Sequence, residues 1–117
     1  EYARTGMTIA DLQAHAVEVL KSECIRLKLM DKDDDIKKYY YHNVSHHLGL
    51  DTHDTSLRDR PLEDGNVITV EPGLYFANYG VGVRIEDDVL FQDGKAVCLS
   101  TSIPKEIKDI EKLFKTR

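Results

Sequence analysis

Two segments of this sequence combine the pattern of a buried β-strand with a glutamate. The segment from Val67 to Gly73 has β-branched residues on both faces and contains Glu71, and the segment from Val83 to Val89 contains Glu86. Burying an ionised carboxylate costs several kcal/mol unless a cation lies beside it. A fold that includes both segments as strands must therefore provide a positive charge next to these carboxylates.

Arg84 is one candidate for that charge, because it could form a plain ion pair with Glu71 or Glu86. A metal ion is another, because four of the five histidines lie close together, at His42, His46, His47 and His53. Neutral imidazole is the commonest metal ligand in proteins. A histidine from a loop and two glutamates from antiparallel strands would form a mixed nitrogen and oxygen set that suits manganese, cobalt, iron or zinc.

The rest of the pattern predicts a single domain with a helix at each end, since 117 residues suffice for one core and are too few for two. Thr8 and Asp11 have the spacing of a capping box, and apolar residues follow at helical intervals, which predicts a helix over Met7–Leu29. A second helix is predicted after Pro104, with an apolar face formed by Ile107, Ile110, Leu113 and Phe114.

Three strand-like segments lie between these helices, at Asn66–Phe76, Val81–Gln92 and Lys95–Ser100. Turn residues at 77–80 and 93–94 connect them, which predicts an antiparallel meander. Strands that are grouped beside helices, rather than alternating with them, indicate the α+β class.

Composition and charge exclude several classes of function. The net charge is −5 and acidic and basic residues are interleaved, so no nucleic-acid partner is expected. No apolar run approaches the roughly 18 residues of a membrane-spanning helix. No secretory signal is visible, and Cys24 and Cys98 lie in apolar surroundings without paired spacing, so we expect a cytoplasmic protein with buried free thiols. The acidic run Asp31–Asp35 lacks the glycine and glutamate of a calcium-binding loop and is predicted to be a solvated turn.

Three stretches, taken in order, resemble a known family. They are HNVSHHLGLDTHD at 42–54, LEDGNVITVEPGLY at 62–75 and GVRIEDD at 82–88. Together they closely resemble three successive motifs of the pita-bread metallopeptidases, most strongly the aminopeptidase P and Xaa-Pro dipeptidase (prolidase) branch. With the flanking helices the resemblance covers nearly the whole chain. It implies that residues 1–117 are a single partial catalytic domain, the C-terminal part of a pita-bread fold.

The resemblance also implies roles for individual residues, position by position. The implied metal ligands are His46, Glu71 and Glu86. Of these, Glu86 occupies the position that bridges two ions, and Glu71 also moves protons. His42 and His53 occupy the positions of histidines that hold the substrate and stabilise a developing oxyanion, and Arg84 resembles an arginine beside the site.

His47 and Asn43 are sequence neighbours of these residues and have no implied catalytic role. The seven-residue step from His46 to His53 fits the family only when His46 is the ligand, so His47 is expected to be a packing residue or to lie behind the ligands. Asn43 stands where these enzymes commonly have glycine. Asparagine tolerates left-handed backbone, so we expect the loop to survive this change.

The activity implied by the resemblance is hydrolysis of the bond between an N-terminal residue and proline, by an Xaa-Pro dipeptidase or aminopeptidase. Two divalent ions, manganese first and cobalt, zinc or iron as alternatives, would activate a bridging water. The family's site has two further aspartate ligands on earlier strands, and this sequence contains no matching motif. The chain by itself is therefore expected to hold an incomplete site and to hydrolyse no peptide.

Half of a pseudo-symmetric sheet leaves an open edge and an apolar face, so a homo-oligomer is also expected. Two alternatives to the proline-specific enzyme remain open. A methionine aminopeptidase-like enzyme of the same fold would use His46 and His53 in equivalent roles, although the sequence pattern around them, SHHLGLDTHD, disfavours it. A non-catalytic domain of this fold that binds protein partners is the other, and the presence of all three implied ligands argues against it.

Overall fold

The first helix begins at a capping box, as the sequence predicts. The computed structural model describes residues 2–57 and 59–115, and α1 spans Ile9–Arg26. The backbone N–H of Asp11 donates to the hydroxyl oxygen of Thr8 at 3.2 Å, and the N–H of Thr8 donates to the Asp11 carboxylate at 2.8 Å. The predicted range is too long at its C-terminal end, because Lys28 has a positive φ of 58° that ends the helix.

Five short strands replace the three predicted ones. They are β1 (Val67–Val70), β2 (Gly73–Phe76), β3 (Val81–Arg84), β4 (Asp87–Gln92) and β5 (Lys95–Cys98). All pairs are antiparallel, and the strands form a three-stranded sheet in the order β1-β4-β5 and a two-stranded sheet of β2 and β3. The meander order is confirmed, and the prediction of two uninterrupted long strands is wrong.

Both interruptions fall at the glutamates. Pro72 has no N–H to donate to a ladder, and proline in a sheet is confined to edges and irregular positions. The register is nevertheless the same on both sides, with Val70 opposite Asp87 and Gly73 opposite Arg84. Continuing that register through the gap places Glu71 across from Glu86.

The histidine-rich segment runs beside β1, where the sequence predicts only a loop. The N–H of Leu48 donates to the carbonyl of Val67 at 3.0 Å, and the N–H of Thr69 donates to the carbonyl of His46 at 2.9 Å. A third bond joins the N–H of Glu71 to the carbonyl of Val44 at 2.8 Å. Residues 44–48 therefore act as an irregular antiparallel neighbour of β1, which carries His46 towards Glu71.

The core lies between α1, the sheet and the segment before the histidines. Its buried hydrophobic residues are Leu12, Cys24, Met30, Ile36, Tyr40, Val44, Leu62, Ile68, Phe76, Val89 and Phe91. Both cysteines are free, and Cys24 is buried as predicted, but Cys98 is only partly buried because it lies near the end of the edge strand β5. The run Asp31–Asp35 is a mostly exposed turn, and Asp35 caps a short 3-10 helix at Ile36–Lys38.

The second helix, α2, spans Ile107–Lys115 and contains no buried residue. Its predicted apolar face is exposed, with exposed fractions from 40% to 76% for Ile107, Ile110, Leu113 and Phe114. β3 is exposed along its whole length as well. Within the described part of the chain, none of the helices is long and apolar enough to cross a membrane.

Candidate metal site

The structure brings His46, Glu71 and Glu86 together. One ligand atom from each lies within 4.8 Å of those of the other two, and His46 Nε2 lies 3.2 Å from Glu71 Oε1. His46 comes from the segment beside β1, Glu71 directly follows β1, and Glu86 directly precedes β4. The break of both ladders at Pro72 thus places two carboxylates opposite each other and next to an imidazole.

In its neutral form, His46 places one hydrogen-bond acceptor against another. His46 Nδ1 lies 3.1 Å from the carbonyl oxygen of His47, and a carbonyl only accepts, so the ring proton is on Nδ1. In the neutral ring, Nε2 then carries a lone pair that faces a carboxylate oxygen of Glu71, and two acceptors repel each other. The contact becomes favourable when a metal ion binds to both atoms, or when the ring is a doubly protonated imidazolium that donates to Glu71. The tautomer is also the one that ligates a metal through Nε2.

Arg84 alone does not neutralise the carboxylates of Glu71 and Glu86. Its Nη1 lies 3.9 Å from Glu71 Oε2 and its Nε lies 3.6 Å from Glu86 Oε2. The Arg84 side chain is 50% exposed, and exposed pairs at such distances stabilise a protein by at most about 1 kcal/mol. One arginine facing two carboxylates leaves a net negative charge. A nitrogen and carboxylate donor set of this kind fits a divalent transition metal.

The predicted substrate-contacting residues line one cleft with His46 and Glu71, two of the three candidate ligands. The volume of this cleft is about 1030 Å³, and His42, His46, His53, Glu71 and Arg84 all contribute to its walls. The His53 ring packs against that of His46, with centroids 4.2 Å apart. A second, apolar cavity of about 400 Å³ between α1 and the sheet contains none of these five.

His42 is fixed by two hydrogen bonds. Its Nδ1 lies 2.8 Å from the carbonyl oxygen of Asn43, so Nδ1 donates, and its Nε2 lies 2.9 Å from the hydroxyl of Tyr75. In the neutral ring Nε2 therefore accepts from Tyr75. Asn43 itself has no positive φ, so this position does not need the left-handed tolerance expected of it.

Tyr75 is one residue that the sequence interpretation missed. A Cβ on Gly73 would lie 2.7 Å from the Tyr75 hydroxyl and 2.9 Å from His42 Nε2, and a Cβ on Gly82 would lie 2.8 Å from the Tyr75 ring. Both glycines thus make room for the tyrosine that holds His42. The sequence signal for Tyr75 was a glycine two residues before it in β2 and a second glycine opposite it in β3.

His47 lies outside the cluster. It forms an isolated backbone bridge with Ile68, and its side chain lines a different, smaller pocket. Successive residues in an extended segment point to opposite sides. With His46 directed to Glu71, His47 is therefore directed away, as the family register implied.

Gln13 joins α1 to the site and was also missed. Its side-chain oxygen accepts from the N–H of Val44 at 2.6 Å and from the Tyr40 hydroxyl at 3.3 Å. The Gln13 side chain therefore fixes the start of the segment that carries His46. A polar residue at a helix position facing the cleft was the only sequence signal for it.

Tyr40 gives a prediction for alkaline pH. The residue is 2% exposed, and burial, against a smaller opposing effect of the Gln13 hydrogen bond, raises the pKa of Tyr40 from 10.0 to about 12. A raised folded-state pKa contributes stability that is complete below the unfolded pKa of about 10 and is lost as the pH rises through about 12. Between these two pH values the unfolding free energy of the wild type should fall by about 2 kcal/mol more than that of Tyr40→Phe.

Urea titrations across the interval measure this effect as the difference between the wild type and the variant. Tyr41→Phe, at a position that is 67% exposed, is the matched control. Equal alkaline losses in the wild type and Tyr40→Phe would contradict the prediction.

Residues 1–93 match metallopeptidase family M24, and the chain belongs to this family. It is 37% identical over 121 residues to the mitochondrial intermediate cleaving peptidase 55 of Arabidopsis thaliana, covering 95% of this chain and 24% of that protein. It is 46% identical over 88 residues to the Xaa-Pro aminopeptidase 3 of Rattus norvegicus, covering 66% of this chain and 17% of that protein.

Solved structures give the same result for the fold. A candidate aminopeptidase P from Bacillus anthracis superposes with a TM-score of 0.90 at 45% identity, over 96% of this chain and 27% of that one. Zinc-substituted aminopeptidase P of E. coli in complex with product superposes with a TM-score of 0.87 at 33% identity, over 98% of this chain and 30% of that one. The pita-bread fold is thereby confirmed, and the chain spans less than a third of the length of each of these four relatives.

Proposed function

We propose that this chain forms part of the active site of a metal-dependent peptidase that cleaves between an N-terminal residue and proline. In this proposal His46, Glu71 and Glu86 are ligands of a divalent cation. The observation that carries it is the 3.2 Å contact of His46 Nε2 with Glu71 Oε1. Because the His47 carbonyl occupies the other ring nitrogen, Nε2 is the atom of His46 that can bind a cation here, and Glu86 is close enough to share it.

A divalent cation bound at this position would lower the pKa of a bound water and polarise a substrate carbonyl. The chain's own residues would then position groups and move protons. Glu71 is 12% exposed and borders the cleft, so its carboxylate can carry a proton from the nucleophile to the leaving amine. This transfer typically accelerates a reaction by about 10²–10⁴-fold.

Two histidines would contact the substrate. His53 lines the cleft with its ring against the ligand His46, where a ring N–H can donate to a developing oxyanion, an effect worth a few kcal/mol. His42 is held by Asn43 and Tyr75, so its ring forms a fixed wall of the same cleft. Arg84 contacts both glutamates at long range and keeps them oriented.

The names of the relatives support the proline specificity and the use of a metal. One relative is an Xaa-Pro aminopeptidase, and one structural neighbour is a zinc-substituted aminopeptidase P. Manganese as the natural ion, a count of two ions, and activity on either dipeptides or longer peptides are proposals. A cytoplasmic location stays a prediction, because the name of one relative places it in mitochondria. Association with a second copy also stays a prediction, supported by the exposed β3 and α2.

The test uses the natural protein that carries this sequence, assayed with Mn²⁺ on two tripeptides. One has proline second, and the other has methionine first and alanine second. We expect release of the first residue from the proline peptide only, loss of the activity on chelation, and no activity from residues 1–117 alone. Cleavage of the methionine peptide alone would favour a methionine aminopeptidase. No cleavage of either peptide would favour a non-catalytic binding domain.

A further inference from the structure

The side chain of Thr69 connects two of the proposed ligands through a single oxygen atom. Thr69 lies in β1 and is 1% exposed. The backbone N–H of His46 donates to Thr69 Oγ1 at 3.1 Å, and Thr69 Oγ1 lies 3.1 Å from Glu71 Oε1. No carboxylate oxygen can donate when ionised, so the hydroxyl proton belongs to the bond with Glu71. Both hydrogen-bonding roles of the hydroxyl are thereby assigned.

The backbone around Thr69 shows why a hydroxyl is needed. The N–H of Thr69 donates to the carbonyl of His46, and in a regular antiparallel pair the N–H of His46 would return the bond to a carbonyl. Here that N–H donates to the hydroxyl instead. Thr69 therefore fixes the backbone of one ligand and the carboxylate of another at the same time.

The contact also decides which part of the Glu71 carboxylate is held. Oε1 accepts from Thr69 at 3.1 Å, whereas Oε2 lies 3.9 Å from Arg84 Nη1, on a half-exposed side chain. The buried hydroxyl is the closer of these two contacts and the better shielded from water. It holds Oε1 beside His46 Nε2, which is the pair of atoms that would share the proposed cation.

We propose that Thr69 is a positioning residue for the metal site, which holds Glu71 and His46 in the geometry that binds a divalent cation. The inference rests on the proposed function. Hydrogen-bonding partners of metal ligands typically alter metal affinity by about 10- to 100-fold when they are removed. A residue that only fills the core would be replaced without loss by valine, which has the same shape.

The test is a titration of the natural protein with Co²⁺, followed by visible absorbance, which reports the ligands rather than catalysis. We expect Thr69→Val to raise the Kd by about 10- to 100-fold and Thr69→Ser, which retains the hydroxyl, to stay close to the wild type. Thr69→Ala and Thr69→Ser both lack the methyl group of threonine, and they differ only in the hydroxyl. Comparing these two variants therefore isolates the effect of the hydroxyl even if Thr69→Val is unstable. Thr101→Val, at an exposed threonine, is the matched control.

Equal Co²⁺ affinity of the alanine and serine variants, or a wild-type Kd in Thr69→Val, would overturn the role of Thr69 and leave the metal site intact. Absence of any Co²⁺ absorbance in the wild type would overturn the proposed metal site and the role of Thr69 with it. Retained absorbance in the wild type, together with weakened binding in both variants without a hydroxyl, supports the inference.

Discussion

Glu71→Gln is expected to weaken divalent cation binding by at least about 100-fold, because the change removes a ligand itself and losing a partner of a ligand alone costs about 10- to 100-fold. The amide is neutral, so its oxygen is a much weaker ligand than a carboxylate, and its NH₂ group cannot ligate. The change should also lower kcat/KM on a proline peptide by about 10²–10⁴-fold if Glu71 moves the proton. Calorimetric titration with Mn²⁺ and initial-rate kinetics on the natural protein measure the two effects.

The fold itself should tolerate Glu71→Gln. Glutamine has the same shape, its side-chain oxygen can still accept from Thr69, and the loss of the carboxylate charge removes the cost of burying it without a cation. Glu63→Gln, an exposed residue paired only loosely with Arg60 at 3.4 Å, is the matched control and should leave binding unchanged. Wild-type Mn²⁺ affinity in Glu71→Gln would remove Glu71 from the ligand set.

Phe91→Ala is expected to have the largest effect on stability. Phe91 in β4 is 0% exposed, and its removal leaves a cavity that the surrounding residues cannot close. Substitutions of this kind cost about 3–5 kcal/mol. That loss is a large part of the roughly 5–15 kcal/mol by which a domain is stable. Urea denaturation of the natural protein, followed by circular dichroism, measures it.

Leu50→Ala is the control for Phe91→Ala, because Leu50 is fully exposed and contributes no burial. It should change the free energy of unfolding by less than about 0.5 kcal/mol. A loss below about 1 kcal/mol in Phe91→Ala would show that the sheet does not depend on this core position. Phe91→Ala should lose metal binding only as it unfolds, whereas Glu71→Gln should lose it while folded.

Local patterns predicted most of the secondary structure. The capping box of Thr8 and Asp11 placed the start of α1, and the Asp93-Gly94 turn placed the hairpin between β4 and β5. Both signals act over a few residues and need no tertiary contact. The predicted helix ends at Leu29, but α1 ends at Arg26. The left-handed residue that ends it is Lys28, whereas a glycine at that position would have marked the end in the sequence.

The division of the strands depends on one residue, Pro72. Pro72 cannot donate to a ladder, so the long strands break there although their hydrophobic pattern continues. The carboxylates that looked anomalous within strands lie instead in the break between them. This explains how Glu71 stays only partly buried while its neighbours Ile68 and Thr69 are fully buried.

Tertiary contacts account for what the sequence could not provide. The alignment of residues 44–48 with β1 has no period-2 pattern of its own, and the roles of Gln13 and Thr69 follow from contacts across 31 and 23 positions of sequence. The tautomer of His46 depends on a backbone carbonyl whose direction no motif encodes. The ligand set came from family resemblance, and the geometry supplies a physical reason for it.

The central claim is that His46, Glu71 and Glu86 bind a divalent cation. Its most direct test is X-ray diffraction from crystals of the natural protein grown with Mn²⁺, with data collected near the manganese absorption edge. We expect an anomalous difference peak between His46 Nε2 and the two carboxylates, at bonding distance from each. An absence of anomalous density there, with the three side chains ordered and hydrogen-bonded among themselves, would contradict the account.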